Sequence, residues 1–376
     1  QPYAEQVAHL FPQFAYASGR GTVEAVALVA EHCRRVRDAV QSQKMGIHAR
    51  HAGAVREPMK GGVQWSLDLS KAFDSITRVA LWDALKWAQV PEDLASLVLH
   101  WHETSSYSLG PRGTDEEQEI IRVSSGVKQG CVLAPTLWLI LSGHLMSQMN
   151  AKRTQAWSVQ HLSAYADDFH VRWEPSKWQE AEDICQDITD FLESLRKAGL
   201  KVNDEKSVIL VALRGTEADR WIRRRRVKVL GGREYALQYD RFRKLQIPIR
   251  SSFKYLGAVL SYGAFEDMNM QFRLKQAAQH RCRLAKVLQG RGGLSLVQRR
   301  RIWLTCIQTA QLYSLIATGV TAAGYRSLRG QSVKQIRAFA KSPRHLTQEA
   351  DLDLLQRLDI EVPILTLQSM AQGFAA

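Results

Sequence analysis

Cysteine is scarce. The five in 376 residues (Cys33, Cys131, Cys185, Cys282 and Cys306) stand far apart, with no Cys-x-x-Cys pair and no Cys/His cluster. That excludes a disulfide framework and a structural zinc site, and it fits a reducing compartment. No stretch of about 18 apolar residues occurs, so no membrane span and no membrane partner are expected. There is no basic-then-apolar leader, so an intracellular protein, nuclear or cytoplasmic and not secreted, is expected. The first residue is Gln rather than Met, as in a fragment or a processed product. No internal repeat or low-complexity tract appears, which removes solenoids and disordered arrays. What remains is ordinary globular composition, 45% hydrophobic and 23% charged, in a chain long enough for two or three packed subdomains.

Acidic residues are also in deficit. The formal net charge is +14, and between Arg214 and Arg301 there are 22 basic residues against 6 acidic ones. The rest of the chain is therefore near neutral, and the asymmetry points to a polyanion, nucleic acid before others.

Residues 1–45 read as helical, with a Gly-containing turn ahead of "TVEAVALVAEHCRRVRDAV". A Gly- and Pro-containing stretch, 50–62, leads into "VQWSLDLSKAFDSI". There Val63, Trp65 and Leu67 alternate with Gln64, Ser66 and Asp68, which is strand periodicity with Asp68 on the polar face. A helix follows, with Val79, Trp82 and Leu85 at threefold spacing. "SLGPRGTDEEQE", 108–119, is a loop or hairpin tip. "SSGVKQGCVLAPTLWLILSGHLMSQM" is a turn feeding a helix on which Trp138, Leu141, Leu145 and Met149 share a face. "HLSAYADDFHVRW", 161–173, alternates on both sides of a short turn and reads as a hairpin with Asp167 and Asp168 at its tip. Then comes a strongly periodic helix from Trp178 to Ala198, with Ser176 and Gln179 in a capping-box pattern and Gly199 at its end. A short strand, "SVILV", precedes the basic block, which holds "KYLGAVLS" and two more helical stretches split near "GRGGLS". Helices on one face of an antiparallel sheet, with acids at strand ends, describe an α+β layer architecture followed by a helical basic module.

Two adjacent Asp are more than a turn needs, although Asp is a common turn residue. If the Asp68 strand pairs with the hairpin, three carboxylates converge, and such a cluster must protonate or bind cations. Mg2+, held by few carboxylates plus substrate phosphates, suits it, and two such ions would clamp an in-line phosphoryl displacement.

In order and spacing, "FAYASGRGT", "LDLSKAFDSI", "SSGVKQGCVLAPTLW", "AYADDFHV", "GLKVNDEKSVIL" and "FKYLGAVLS" resemble the successive motifs of a reverse transcriptase. The resemblance is to the non-LTR (LINE-type) retrotransposon branch and runs from about residue 10 to 325. It implies a right-hand polymerase palm with partial fingers at 1–62, a palm at 63–262 with a fingers segment inserted at 100–140, a helical thumb at 263–326 and a C-terminal helical extension at 327–376. It implies an RNA-directed DNA polymerase that extends a primer 3′-OH, with RNA template, DNA primer and dNTPs as partners. Two Mg2+ ions, or Mn2+ in their place, are the implied cofactors.

By the same resemblance Asp68, Asp167 and Asp168 are the catalytic metal ligands, with the Leu69 carbonyl as a further ligand. Ala72, Phe73, Gln129, Gly130 and Lys206 contact the nucleotide. Phe73 is a ring that leaves no room for a ribose 2′-hydroxyl, and Lys206 neutralises or protonates pyrophosphate. Tyr255, Leu256 and Gly257 seat the primer end, and Arg273, Lys275, Arg281, Arg283 and Lys286 contact duplex phosphates. The family's triphosphate-gripping strand pair would lie upstream of residue 1, and Arg20 is an isolated candidate replacement. No endonuclease signature is read, and the tail "HLTQEADLDLLQRLDI" has no assignable chemistry. Two other readings stand beside this one: a truncated or inactive nucleic-acid-binding remnant, and a related palm enzyme such as a maturase, whose intron-binding domain is not seen.

Overall fold

The computed structural model describes residues 2–44, 53, 56–109, 119–229, 234–290 and 293–375. The chain divides into two units, Gln1–Ser251 and Ser252–Ala376.

The first unit is built on a four-stranded antiparallel sheet of β1 (Lys60–Leu67), β5 (Leu162–Tyr165), β6 (Asp168–Trp173) and β8 (Val208–Arg214), in the order β5-β6-β1-β8. Short strands β2 (Leu69–Ser70) and β7 (Lys201–Val202) extend the pairing past Asp68. β1 is central, with Leu67 opposite Phe169 and Trp65 opposite both Val171 and Ile209. Alternation puts Val63, Trp65, Leu67, Phe169 and Val171 on one face. There Trp65 and Phe169 both meet Phe191, edge-on or nearly so, with centroids 6.3 and 5.5 Å away. Phe191 belongs to helix Trp178–Lys197, whose buried stripe of Ala181, Ile184, Ile188, Phe191 and Leu195 is the one its period predicts.

The other face is covered as well, so helices lie on both sides of the sheet rather than on one. The helix Thr22–Ser42 packs across the polar face, where Gln64 and His170 are fully buried. His170 Nε2 lies 3.1 Å from Gln64 Oε1, and Gln64 Nε2 donates to Cys33 Sγ on the helix at 3.4 Å. Alternation of apolar and polar residues marks two faces but does not say that the polar one is dry. Close approach is set by glycine: a Cβ on Gly62 would sit 2.4 Å from Val36 Cγ2, and one on Gly61 only 2.0 Å from the Ala212 carbonyl oxygen.

Two local readings change. The helix Arg78–Trp87 buries Leu81, Ala84 and Leu85, while Val79 is 70% exposed. Of the three residues at threefold spacing Leu85 is buried and Trp82 packs partly buried against the core, while Leu81 and Ala84 rather than Val79 complete the inward face. At the start of Trp178–Lys197 it is Glu180, not Gln179, that reaches back to the Ser176 N–H and hydroxyl, at 2.8 and 2.9 Å. Gln179 instead pairs with Asp183. Strands β3 (Ser106–Leu109) and β4 (Glu119–Arg122) form the expected hairpin, whose connecting residues 110–118 lie outside the described residues, as do parts of the 50–62 stretch. On the far side of the basic run, β9 (Arg226–Lys228), β10 (Tyr235–Asp240) and β11 (Leu245–Pro248) make a separate small sheet.

The second unit opens with the hairpin of β12 (Phe253–Tyr255) and β13 (Ala258–Leu260), followed by helices. One of its cores joins Ala277, Trp303, Ile307, Ile336 and Phe339 to Leu354, Leu355 and Leu358, so the C-terminal segment shares a core with the helices before it.

On the buried face of the helix Thr22–Ser42, His32 donates its Nδ1–H to Glu174 at 2.9 Å, while Arg35 donates to the same carboxylate. Burial holds the His32 pKa below its ordinary value despite that bond. Glu174 is partly buried, which acts the other way, but hydrogen bonds from His32 and Arg35 hold it down to about 2. A histidine depressed on folding binds its proton more readily when unfolded, so its contribution is present above the unfolded value of about 6.5 and is lost as pH falls below it. Thermal unfolding should therefore show the melting temperature falling as pH is lowered from about 7 to about 5. His32→Gln should make that fall shallower; superimposable slopes would remove His32 from the linkage.

Candidate active site

The antiparallel register brings the acids together. Leu67 faces Phe169, so Asp68, the residue just past the end of β1, and Asp168, the residue before Phe169, lie at adjoining strand ends on the polar side. Neighbouring strands are about 4.8 Å apart. Asp68 sits in the gap between β1 and β2, where its N–H donates to Ser207 Oγ at 3.2 Å and its carbonyl accepts from Asn203 N–H at 2.8 Å. Its side chain is half-buried, and Lys206 Nζ is 3.7 Å from Oδ2. Leu69 is buried and pairs with Val202.

Asp167 stands in the turn between β5 and β6, which pair as far as Tyr165 opposite Asp168. The turn's other residue, Ala166, has φ +51°, a left-handed conformation that a side chain disfavours by about 1–2 kcal/mol. It is held by groups from two distant parts of the chain. The fully buried Gln13 side chain accepts from Ala166 N–H at 3.0 Å and donates to the Ala166 carbonyl at 3.2 Å. Trp138 Nε1 donates to the same carbonyl at 2.8 Å. Gln13 also accepts from Ala15 N–H and donates to Ser142. Residues 12–14 run alongside β5, with Phe14 N–H donating to the Ala164 carbonyl and Ala164 N–H to that of Pro12.

Gln13 and Trp138 were not among the expected site residues. Gln13 stands immediately before the "FAYASGRGT" motif; nothing local distinguishes a buried clamping amide from a surface one. Tyr16 was missed as well. It has φ +62° and is about half exposed, and its pKa is raised by burial and then by the charges of Asp167 and Tyr165, which places it beside the hairpin tip. Arg20 lies on the same loop, and its Nη1 donates to the Phe11 and Gln13 carbonyls at 2.7 and 3.1 Å, which fixes the loop in place.

Phe73 is half-buried with its ring centroid 4.8 Å from that of Trp138. Trp138 therefore touches the Phe73 ring and the Asp167 turn at once. The chain around Phe73 is pinned by Val127 N–H donating to the Phe73 carbonyl at 2.7 Å and Gly126 N–H to that of Ile76 at 2.8 Å. Ala72 is buried at the start of the short helix Ala72–Ser75. Gln129 and Gly130 are exposed on the loop that leads into the helix Ala134–Lys152, and nothing lies within 4 Å of where a Gly130 Cβ would be. The backbone there is open to close approach.

Burial, then the charges of Asp167 and Asp68, push the Asp168 carboxyl up to about 6, with Lys206 acting in the opposite direction. Among the described residues, no three Asp, Glu, His or Cys side chains are gathered as a ready metal cage. The donor set nonetheless fits a hard divalent cation. It offers carboxylate oxygens, from two strand ends and the turn that joins one of them to β5, and it carries negative charge that one lysine only partly offsets.

In the second unit, Leu256 and Gly257 have φ +45° and +77°, the two-residue turn of the β12–β13 hairpin, and Tyr255 is buried. Arg273 is not a free surface cation. It is buried between the rings of Phe272 and Tyr313, each centroid 4.8 Å away, and Tyr313 Oη donates to the Leu256 carbonyl at 2.9 Å. Arg273 thus braces the 255–257 turn from below. Lys275, Arg283 and Lys286 are exposed, and Arg281 is partly so.

The profile of the family described as reverse transcriptase (RNA-dependent DNA polymerase) matches residues 8–260. The chain is 30% identical over 145 residues to the Retrovirus-related Pol polyprotein from type-2 retrotransposable element R2DM of Drosophila melanogaster, covering 38% of this chain and 13% of that protein. It is 26% identical over 297 residues to the RNA-directed DNA polymerase from mobile element jockey of Drosophila funebris, covering 77% and 29% respectively. The chain thus spans less than a third of either relative. Among solved structures, apo telomerase from Candida tropicalis aligns with a TM-score of 0.40 at 12% identity, covering 93% of this chain and 55% of that one.

The turn's dependence on its two clamps is measurable without any activity. Trp138→Phe keeps a ring against Phe73 but removes one donor to Ala166, and should cost about 1–2 kcal/mol in urea unfolding. Gln13→Ala leaves the Ala15 and Ala166 N–H groups unpaired in a dry site and should cost more, about 2–4 kcal/mol. Equal, negligible losses would show that the turn holds itself.

Proposed function

The chain belongs to the reverse transcriptase family, on its non-LTR retrotransposon branch, and from that premise we propose that it is an RNA-directed DNA polymerase that adds dNTPs to a primer 3′-OH on an RNA template. The observation that carries this is the β1–β6 register, which sets Asp68 against Asp168 with Asp167 at the adjoining turn.

Asp68, Asp167 and Asp168 would hold two Mg2+ ions, with the Leu69 carbonyl as a further oxygen donor. When bound, divalent cations supply charge neutralisation at the attacking and leaving oxygens of an in-line displacement. The chain's own residues orient and select. Phe73, backed by Trp138, presents a fixed ring where a ribose 2′-hydroxyl would have to fit, so deoxynucleotides are preferred by shape. Ala72, Gln129 and Gly130 contact the incoming nucleotide, with the Gly130 backbone free to approach it. Lys206, already drawn to Asp68, neutralises or protonates the departing pyrophosphate. Tyr255, Leu256 and Gly257 seat the primer end on a turn that Arg273 and Tyr313 stiffen. Lys275, Arg281, Arg283 and Lys286 bind duplex phosphates without reading sequence. On this reading residues 1–62 are partial fingers, 63–262 the palm with the 100–140 fingers segment, 263–326 the thumb and 327–376 a helical extension.

Primer extension on an RNA template tests the assignment. Asp167→Asn should abolish extension while RNA affinity stays within about twofold; wild-type activity would remove Asp167 from the site. Phe73→Ala should raise ribonucleotide incorporation by roughly tenfold or more, the discrimination a single shape contact supplies. Unchanged sugar selectivity would leave Phe73 a packing residue.

A further inference from the structure

The basic run at 223–226 and the small β9–β11 sheet after it have no part in that chemistry, yet the sheet carries the most exposed large aromatic among the described residues. Phe242 is 101% exposed, at the tip of the β10–β11 hairpin in the sequence Asp240-Arg241-Phe242-Arg243-Lys244. Leaving such a ring in water forgoes about 1.5–3 kcal/mol of burial. Arg241, Arg243 and Lys244 are exposed around it. The tip is nonetheless pre-shaped. Asp240 Oδ1 accepts from the N–H groups of Phe242 and Arg243, both at 2.9 Å, a bulge falls between Gln238 and Asp240, and Lys244 closes the turn at φ +55°. The other end of the hairpin is anchored by buried Ala236, Leu237 and Ile247.

The surroundings repeat the pattern. The Arg226 guanidinium lies 3.7 Å from the centroid of partly exposed Tyr235, and Arg220, Arg223 and Arg224 are exposed on the neighbouring helix Thr216–Arg225. Between the tip and the helix Trp178–Lys197 is an open cleft of about 860 Å3, lined by Phe242, Gln179, Asp183, Gln186 and Thr189 among others. An exposed ring set among cations, beside a cleft with hydrogen-bonding walls, matches an unpaired base flanked by phosphates. A duplex hides its base faces and would leave the ring unused.

We propose that the Asp240–Lys244 hairpin tip is a second nucleic-acid site, which takes an unpaired segment of RNA by stacking a base on Phe242 and holding the adjoining phosphates with Arg241, Arg243 and Lys244. The choice of RNA over single-stranded DNA rests on the reading of the chain as an RNA-copying enzyme; the stacking geometry itself does not.

Binding of a fluorescent single-stranded RNA by the full chain tests this, and the measurement is repeated in the Asp167→Asn background so that it does not depend on catalysis. Phe242→Ala and Phe242→Leu should each weaken binding about tenfold, the worth of one stacked base, while Phe242→Trp retains it. The triple change Arg241→Ala, Arg243→Ala and Lys244→Ala should lower the salt slope by roughly 2. Affinity for fully paired RNA should not respond to Phe242. Wild-type binding by Phe242→Ala, or by Phe242→Leu, would overturn the stacking site. A preference of the tip for single-stranded DNA would overturn the assignment to RNA. Phe242-dependent binding to anionic vesicles with RNA binding intact would make the tip a membrane contact and overturn the proposal outright.

Discussion

Everything in the first unit depends on one register, Leu67 opposite Phe169. A slip of one residue would turn every side chain of β1 to the other face. Trp65 and Leu67 would then meet the helix Thr22–Ser42, Gln64 would enter the apolar core, and Asp68 would leave the side on which Asp168 stands. The register is enforced from both faces. Trp65 and Phe169 close on the same Phe191 ring, while Gln64 reaches across to His170 and on to Cys33. The acids come together as a by-product of packing that is satisfied several residues away.

The hairpin tip shows how a costly local conformation persists. Ala166 in the left-handed region and three carboxylates near one another both oppose folding. Against them stand three hydrogen bonds with the backbone of one residue, two shared with Gln13 (one accepted, one donated) and one donated by Trp138, each contributing about 1 kcal/mol net and more in a dry setting. Because Trp138 also packs on Phe73, the ring that would select the sugar and the turn that would place the acids share a support.

The sequence made the strands, the hairpin and the long periodic helix legible, because a period of two or of 3.6 is written locally. The adjacent Asp at the hairpin tip stood out from the residues alone, and the family motifs then gave them roles. What stayed hidden depends on partners far along the chain. Gln64 and His170 alternate with the apolar residues, and alternation cannot reveal a helix that comes from residues 22–42 to cover them. Gln13 acts on a residue 153 positions away. The family resemblance gave Arg273 a phosphate contact, yet it lies buried between two aromatic rings. Val79 differs for another reason: Leu81 and Ala84, not Val79, join Leu85 on the inward face of its helix.

The glycine pair at the start of β1 carries a last implication. With Val36 against Gly62 and the Ala212 carbonyl against Gly61, backbone and helix meet there with no spare volume. Neither a bulkier residue nor a shifted helix can be absorbed locally. Divergence of this chain must be channelled elsewhere, toward rims such as the 241–244 tip, where new chemistry can be tried without disturbing the strands that align the acids.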